Sequence, residues 1–181
     1  MTSKFKVVTK YKDKIDLPKR ATKHSAGYDI PAAEDKIIPP WHLCINGLMA
    51  FKDTYRKDQE VFNLKDIENI IKSTGLTPTL ISTGLKCKLE EDEYLSLISR
   101  SSTPMKYWLI VPNSVGIIDS DYYNNPSNEG EIFIQLINLS PFPIEVKKGD
   151  ILVQGIIHKF TTDGTEVKNE QRVGGFGSTN G

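Results

Sequence analysis

The sequence predicts an all-β fold, an antiparallel sandwich, barrel or jelly roll that carries one short helical insertion. Short runs rich in valine, isoleucine, tyrosine and phenylalanine recur along the chain, and several alternate between apolar and polar residues. Glycine, proline and asparagine separate these runs, as expected of turns. Only one segment has apolar residues at helical spacing. Many short strands between such turns are typical of layered or closed antiparallel folds.

Seven segments are predicted to be strands because they are β-branched, aromatic or alternating in hydropathy. In chain order they are 5–9, 42–51, 79–89, 94–99, 107–111, 131–139 and 151–160. Gly84, within the third segment, indicates a β-bulge there, since a glycine inside a strand pattern commonly marks one.

The helix is predicted within the segment 52–78. One face of it would carry four apolar residues, Leu64, Ile67, Ile70 and Ile71. Asn63 suits the N-cap position, and Gly75 followed by Pro78 is typical of a helix end. Because this segment is too small to have its own core, we interpret it as an insertion in a single domain that spans 1–170.

The composition excludes several classes of protein. A chain of 181 residues with 38 % hydrophobic and 25 % charged residues is ordinary for one soluble globular domain. A formal net charge of +0 provides no basic field for nucleic acid or membranes, and no apolar run approaches the ~18 residues of a membrane span. The amino terminus lacks the apolar region of a signal peptide. Cys44 and Cys87 are expected to be buried thiols in a cytoplasmic protein, and the histidines lack metal-ligand spacing.

The segment 112–123, PNSVGIIDSDYY, combines an asparagine, a glycine, two acids and two tyrosines with strand-forming residues. This pattern predicts a strand–turn–strand hairpin with polar groups at its mouth. Such a hairpin would hold a flat polar ring, a nucleobase for instance, beside a carboxylate that acts as a general base. A surface hairpin with a few turn residues accounts for the same pattern without a ligand.

Three other positions carry polar groups suited to a nucleotide. Arginine makes up four of the 23 basic residues, and Arg100 lies in the sequence SRSS, a natural phosphate cradle. Asp29 follows Gly27, which permits a tight turn, and would be an acid near a phosphate-bound cation. Gln154 is the polar side chain of an apolar strand. Two polar turns and a core amide are the alternative interpretations.

The glycine-rich segment 171–181 is predicted to be a flexible C-terminal arm, because it is too polar to join a core. It nevertheless contains Phe176, which could stack on a ring, and Arg172, Ser178 and Thr179, which could bind phosphate. Two interpretations are open at this point. The segment is either a disordered tail or an arm that becomes ordered over a bound ligand.

Five segments resemble, in the right order, the five motifs of the trimeric deoxyuridine triphosphatase (dUTPase) family. They are AGYDI at 26–30, SRSS at 99–102, NSVGIIDSDYY at 113–123, GDILVQG at 149–155 and RVGGFGST at 172–179. The resemblance extends over nearly the whole chain, and GIIDSDY and GGFGST are its most specific parts.

The resemblance implies a jelly-roll subunit and a homotrimer with three active sites at the subunit interfaces. It implies hydrolysis of dUTP to dUMP and pyrophosphate, which keeps uracil out of DNA and supplies dUMP for dTMP synthesis. Mg²⁺ would be bound mainly by the substrate triphosphate, and Asp29 would touch the metal through water only. Asp119 would be the general base that activates water for attack on the α-phosphorus.

The resemblance also assigns the substrate ligands. Asn113 and the backbone from Gly116 to Ile118 would read uracil. Tyr122 would pack against deoxyribose and exclude a 2′-hydroxyl group. The phosphates would be bound by Arg100, Ser101, Ser102 and Gln154. The arm would contribute Phe176 over the uracil, Gly177 beside it, and Arg172, Ser178 and Thr179 at the γ-phosphate.

The exit from the third motif is longer than the family pattern. The family has one residue between the tyrosine and a Gly-Glu pair, whereas the segment 123–129 precedes Gly130 here. The sequence therefore leaves open whether Tyr122 or Tyr123 selects the sugar.

Two further departures concern the arm and the insertion. Only Val173 separates Arg172 from the Gly-Gly pair, one residue fewer than usual, so the reach of Arg172 is open. The segment 52–78 is longer than the usual connection between the first two motifs. As in some phage-borne relatives, it is a candidate surface for a regulatory protein partner, and a phage-encoded enzyme would work in the host cytoplasm.

Two alternatives belong to other functional classes. A deoxycytidine triphosphate deaminase resembles this fold, but it would need a catalytic glutamate in place of Asp119 and Tyr122. A regulatory protein that uses the nucleotide as a switch would bind it without turnover, and the helical insertion is its support in the sequence. Pyrophosphate release measured across dUTP, dCTP, dTTP and UTP separates these alternatives from the dUTPase.

Overall fold

The fold is built mostly of short antiparallel strands, in a computed structural model that describes residues 4–41, 49, 61–74 and 77–165. The strands are β1 (Phe5–Val7), β2 (Lys19–Arg20), β3 (Tyr28–Pro31), β4 (Lys36–Ile38), β5 (Thr79–Ser82), β6 (Leu85–Cys87), β7 (Glu93–Ser99), β8 (Leu109–Ile110), β9 (Gly116–Asp119), β10 (Phe133–Asn138), β11 (Ile144–Val146) and β12 (Ile151–Lys159). Among the described residues, two α-helices have defined bounds, α1 (Leu64–Thr74) and α2 (Ser102–Tyr107). Short 3₁₀ turns occupy Thr9–Tyr11 and Ser120–Tyr122.

The largest sheet has five strands in the order β2-β3-β12-β7-β9. A three-stranded sheet has the order β5-β10-β8, and two pairs, β1-β6 and β11-β4, complete the described strands. All of these neighbours are antiparallel. All four sheets contribute to one apolar core, whose members include Phe5, Leu95, Leu136 and Val146. This arrangement agrees with the predicted all-β, jelly-roll-like class.

The predicted strand 79–89 is wrong as a single element. The chain forms β5 and β6, which belong to different sheets, and Gly84 lies at the corner between them. Gly84 has φ +65°, and a Cβ there would come within 2.6 Å of Ile15 Cδ1. A glycine is therefore required to turn the chain from one sheet to the next, and no bulge is needed to explain it.

The hairpin predicted over 112–123 is also not formed. β8 pairs with β10, whereas β9 pairs with β7, so the two strands that flank the turn lie in different sheets. Between them Ser114 adopts φ +60°, and its N–H donates to the carbonyl of Val111 at 3.0 Å. The turn residues were recognisable, but the pairing partner of each strand is a long-range choice that local sequence does not specify.

α1 begins as predicted. The side-chain oxygen of Asn63 accepts from the Asp66 N–H at 2.9 Å, and the Asp66 carboxylate accepts from the Asn63 N–H at 3.2 Å. This reciprocal pair is a capping box. The predicted apolar face is only partly buried, because Ile70 is 3 % exposed whereas Leu64 is 90 % exposed.

Several expectations lie wholly or mainly outside the described residues. The predicted strand 42–51 is described only at Met49, which is helical. The arm 171–181 is not described, and neither is Cys44. Cys87 is buried, and its desolvation raises the pKa of the thiol to about 12. Among the described residues, no helix has the length and apolarity that a membrane span requires.

Candidate active site

A cavity of about 220 Å³ lies beside β9 and brings together the predicted uracil, sugar and base positions. Its lining includes Asn113, Gly116, Ile118, Asp119 and Tyr122. Its volume is below the ~300–1,000 Å³ typical of pockets for drug-sized ligands. The cavity therefore suits one nucleoside, while a polyphosphate chain would extend beyond it.

β9 forms one edge of the five-stranded sheet. A strand at a sheet edge turns part of its N–H and C=O groups away from its single neighbour, here β7. Ile118 anchors the strand because it packs against the core, whereas Asp119 is exposed. Gly116 is opposite Leu97 on β7, and a Cβ there would make an ordinary contact of 3.4 Å with the Leu97 Cβ. The result is a rigid backbone edge next to a carboxylate.

The two candidate tyrosines occupy different surroundings. Tyr122 is 5 % exposed and lines the cavity, and its hydroxyl donates to the carbonyl of Glu131 at 3.1 Å. Tyr123 is not among the lining residues, and its ring packs under the Lys86 ammonium, 5.2 Å from the ring centroid. Of the two tyrosines, Tyr122 has the position expected of a sugar-selecting side chain.

Arg100 directly follows β7 and is held by the regular pairing of β7 with β12. Ser99 pairs with Val153, and at the next position the Leu152 carbonyl accepts from the Arg100 N–H at 3.2 Å. The Leu152 carbonyl also accepts from the Thr103 hydroxyl at 2.6 Å. Ser101 and Ser102 lead directly from Arg100 into α2, a helix that the polar pattern of SRSS did not predict.

Asp29 contacts two of the four predicted phosphate ligands, Gln154 and Arg100. Its Oδ1 accepts from the Gln154 side-chain amide at 3.2 Å and lies 3.6 Å from Nε of Arg100. Gly27 makes this arrangement possible by close approach, since a Cβ there would lie 2.9 Å from the Gln154 Cβ. Ser102 shares a second cavity, of about 320 Å³, with Arg100. Ser101 is exposed beside it at the start of α2.

The Asp119 carboxylate and the cluster of Arg100, Asp29 and Gln154, here called the Arg100 group, lie at different levels of the same sheet. Asp119 is opposite Tyr94 on β7, whereas Gln154 is opposite Ile98, four residues further along. At ~3.3 Å per residue and ~4.8 Å per strand, the Cα atoms of Asp119 and Gln154 are roughly 16 Å apart. Within one chain the predicted general base is therefore separated from the predicted phosphate ligands.

The sequence did not single out Glu131, which also lines the first cavity. It is 7 % exposed, and its carboxylate accepts from the Gly84 N–H at 3.1 Å and from the Ser82 hydroxyl. These bonds tie the chain before β10 to the corner that follows β5. The signal in the sequence is the Gly-Glu pair that follows the third motif, which was used only to measure the length of the motif's exit and was given no role in the site.

Comparisons with known proteins agree with the geometry. The sequence profile of the dUTPase family matches residues 58–180. The deoxyuridine 5′-triphosphate nucleotidohydrolase of Lactococcus lactis subsp. lactis is 40 % identical over 178 residues, 97 % of this chain and 95 % of that protein. The protein of the same name from Leptospira interrogans is 27 % identical over 178 residues, 95 % of this chain and 96 % of that one. The chain belongs to the dUTPase family, as the five motifs predicted.

Solved structures support the same conclusion. The crystal structure of dUTPase from Streptococcus mutans matches with a TM-score of 0.64 at 33 % identity, over 87 % of this chain and 96 % of that one. The dUTPase from phage phi11 of S. aureus, whose structure visualises a species-specific insert, matches with a TM-score of 0.60 at 18 % identity. That match covers 94 % of this chain and 97 % of the phage chain, and it concerns the fold alone.

Proposed function

We propose that this protein hydrolyses dUTP to dUMP and pyrophosphate, with Asp119 as the general base. The observation that carries the proposal is the cavity beside β9. Asn113, Asp119 and Tyr122 line it together, next to the open backbone edge of a strand. A nucleobase, a sugar and a reacting phosphorus thereby have complementary groups in one place. Membership of the dUTPase family supplies the substrate class.

The uracil ring is bound by the edge of β9. Its imide presents a donor between two acceptors, which is the complement of a strand edge with alternating N–H and C=O groups. The Asn113 side chain adds a further donor and acceptor beside this edge. Tyr122 closes the side of the cavity where deoxyribose lies, so a 2′-hydroxyl would have to displace a buried ring.

In the proposed reaction, the Asp119 carboxylate accepts a proton from a water molecule as the water oxygen attacks the α-phosphorus. The bond from that phosphorus to the bridging oxygen breaks, and pyrophosphate leaves with the bonding electrons. A carboxylate acts in this way only within hydrogen-bond reach of the water. Asp119 is exposed, which suits a group that must contact water and substrate.

The phosphates are bound by Arg100, Ser101, Ser102 and Gln154. Within the described residues, no group of three or more His, Cys, Asp or Glu side chains could hold a metal ion. A single protein carboxylate, that of Asp29, fits a Mg²⁺ ion that would be bound mainly by the phosphate oxygens of the substrate. Asp29 would contact such an ion through water, because Mg²⁺ keeps several waters when bound. When bound, the ion would neutralise charge on the leaving group.

The active enzyme is proposed to be a homotrimer with its sites at subunit interfaces. The separation of roughly 16 Å between Asp119 and Gln154 supports this, because one chain holds the base and the phosphate ligands apart. A neighbouring copy would bring its own phosphate ligands to the Asp119 cavity. The free Cys87 thiol suits a reducing compartment, and the proposal includes a cytoplasmic location.

The proposal divides the chain into a domain at 1–170 and an arm at 171–181. The arm would close on the nucleotide through Phe176 and Gly177 over uracil and through Arg172, Ser178 and Thr179 at the γ-phosphate. Ordering a glycine-rich segment costs entropy, so closure would require the contacts that the nucleotide provides. Truncation after Gln171 is expected to reduce turnover while leaving the fold intact.

The insertion 52–78 is proposed to be a surface for a protein partner and not part of the chemistry. Val61 and Leu64 are 81 % and 90 % exposed, so they are available for a partner to cover. Replacing 54–77 by a short Gly-Ser linker should leave dUTP turnover intact. A folded trimer without activity would show that the insertion helps to build the site.

The experiment that tests the proposed function is pyrophosphate release from dUTP, dCTP, dTTP and UTP. The purified protein should act on dUTP in strong preference to the others. Asp119→Asn should lower the rate by at least about a hundredfold, the usual range for a general base. Asp121→Asn is the matched control, since it makes the same change two residues away and outside the cavity lining. Near-normal turnover by Asp119→Asn would refute the mechanism, and deamination of dCTP would favour the alternative enzyme class.

A further inference from the structure

The extra segment after Tyr122 folds into a defined loop against the first strands. The Glu129 carboxylate accepts from the Thr9 N–H at 3.1 Å and from the Thr9 hydroxyl at 3.0 Å. The Lys86 ammonium donates to the Asn124 side-chain oxygen at 2.6 Å and lies 3.5 Å from Glu129. The loop is thus anchored at one end on β6, through Lys86, and at the other on the 3₁₀ turn after β1, through Thr9.

The backbone of this loop is specialised for a sharp return. Asn124, Glu129 and Gly130 all have positive φ, at 58°, 60° and 74°. A Cβ on Gly130 would lie 2.4 Å from the Tyr122 carbonyl oxygen, so only glycine fits there. The chain therefore comes back into direct contact with the tyrosine that it has just left.

Asn128 uses this return to bind Tyr122. Its side-chain amide donates to the Tyr122 hydroxyl at 2.7 Å, and its side-chain oxygen accepts from the Gly130 N–H at 3.0 Å. The Tyr122 hydroxyl in turn donates to the Glu131 carbonyl at 3.1 Å. The Tyr122 hydroxyl therefore makes two hydrogen bonds, one as acceptor and one as donor. They hold the outer end of a buried side chain that lines the nucleotide cavity.

We propose that Asn128 is a positioning residue for sugar selection, acting through the Tyr122 hydroxyl. This inference rests on the proposed function, in which the Tyr122 ring excludes a 2′-hydroxyl. A ring excludes one extra oxygen atom only while it cannot move aside. Because the hydroxyl is held from two directions, the ring cannot tilt away from the cavity without breaking a hydrogen bond.

Asn128 can be altered without dismantling the loop. Glu129 and Lys86 anchor the loop independently of the Asn128 side chain. Two backbone hydrogen bonds add to this, from the Asn125 N–H to the Tyr122 carbonyl and from the Glu131 N–H to the Asn128 carbonyl. Asn128→Asp keeps an oxygen that can bind the Gly130 N–H but replaces the donor to the tyrosine by an acceptor. The single proton of the Tyr122 hydroxyl can then serve either the new carboxylate or the Glu131 carbonyl, so one of the two hydrogen bonds that hold the ring is lost while the turn is preserved.

The test is the ratio of kcat/KM for dUTP to kcat/KM for UTP. Asn128→Asp should lower this ratio by about two- to tenfold, the range of one hydrogen bond. Ser127→Ala is the matched control in the same loop, because its hydroxyl binds Asn125 and not Tyr122. Its ratio should equal that of the wild type.

A double-mutant cycle separates positioning from a general structural effect. Tyr122→Phe removes the hydroxyl, so it should lower the ratio by itself. In that background Asn128→Asp should have no further effect on the ratio. If Asn128→Asp does not fold, Tyr122→Phe still tests the inference, since an unchanged ratio would show that the held hydroxyl is irrelevant.

Three outcomes would overturn the inference while leaving the dUTPase activity in place. They are an unchanged ratio in Asn128→Asp, an unchanged ratio in Tyr122→Phe, and an equal fall in both backgrounds. Failure of the proposed function is distinguishable, because the wild-type protein would then release no pyrophosphate from dUTP, and the inference would fall with it.

Discussion

Arg100 and Asp29 form an ion pair in which Nε of the guanidinium lies 3.6 Å from a carboxylate oxygen. The contact is made through Nε, so it orients the side chain without occupying the two Nη donors in this pair. Arg100 keeps a third of its side-chain surface exposed, whereas Asp29 keeps 14 %. The pair therefore resembles a preset phosphate fork more than a structural salt bridge.

This relationship predicts the effect of Arg100→Lys. Lysine keeps the charge but loses the planar pair of donors that binds phosphate in two places. We expect kcat/KM for dUTP to fall by at least about tenfold, the equivalent of one charge-assisted hydrogen bond. Steady-state kinetics measures this, and thermal unfolding serves as the control because a partly exposed ion pair contributes little to stability. An equal kcat/KM for the wild type and Arg100→Lys would argue against bidentate phosphate binding by Arg100.

The two tyrosines after Asp119 provide the second prediction. Tyr122→Ala should narrow the preference for dUTP over UTP by about tenfold or more, because it removes the ring that lines the cavity. Tyr123→Ala should leave the preference within about twofold, since that ring packs on Lys86. The ratio of kcat/KM values is the measurement, and it is insensitive to the fraction of folded enzyme. The opposite ranking of the two variants would place the sugar beside Tyr123.

The parts of the fold that local sequence determines were predictable. β7, β10 and β12 alternate or are strongly apolar, and the Asn63 cap set the start of α1. The partner of each strand was not predictable, because pairing depends on register across the whole chain. Gly84 illustrates this, since the same glycine suits a bulge within one strand or a corner between two sheets.

The candidate site shows the same division. The motif order predicted which residues would meet in the β9 cavity, and Asn113, Asp119 and Tyr122 do line it together. Asn128 was not predictable as a contact of Tyr122, because it depends on the path of a loop with three left-handed residues. The close approach of Gly27 to Gln154 was likewise not predictable, because it depends on how two segments that are distant in sequence pack together.

Glu93 provides the third prediction, which concerns stability against pH. The Glu90 N–H donates to its carboxylate at 3.0 Å, and Lys4 binds the same oxygen. The backbone bond first, and the ammonium second, hold the pKa of Glu93 below its ordinary value. A carboxyl with a lowered folded-state pKa stabilises the fold above its unfolded pKa of ~4.3 and loses this contribution as pH falls through the folded pKa.

Glu93→Gln should therefore lower the free energy of unfolding by about 1 kcal/mol at pH 7. The difference from the wild type should shrink below about pH 4.3 and vanish below the folded-state pKa. Denaturant titrations across this range, at one protein concentration, measure it. Glu91→Gln, an exposed change in the neighbouring turn, is the matched control. A difference that stays constant with pH would exclude the ionised carboxylate as its cause.

The last prediction concerns the separation of Asp119 from the Arg100 group along the five-stranded sheet. If one chain supplied both to a single site, a defect in either would disable that chain whatever its neighbours were. If neighbouring chains supply them, two inactive proteins can repair each other. Asp119→Asn and Arg100→Ala are the two variants required, because each leaves the other half of the site intact.

The two variants are unfolded together and refolded as an equal mixture. In a cyclic trimer every mixed assembly contains one interface that joins an intact Asp119 to an intact Arg100. Random assembly therefore restores about a quarter of the sites, and about a quarter of the wild-type rate should return. With sites confined to single chains, each site keeps one defect and the mixture stays inactive at any ratio. Native mass spectrometry of isotopically labelled subunits establishes that mixed trimers have formed, so that an inactive mixture counts directly against shared sites.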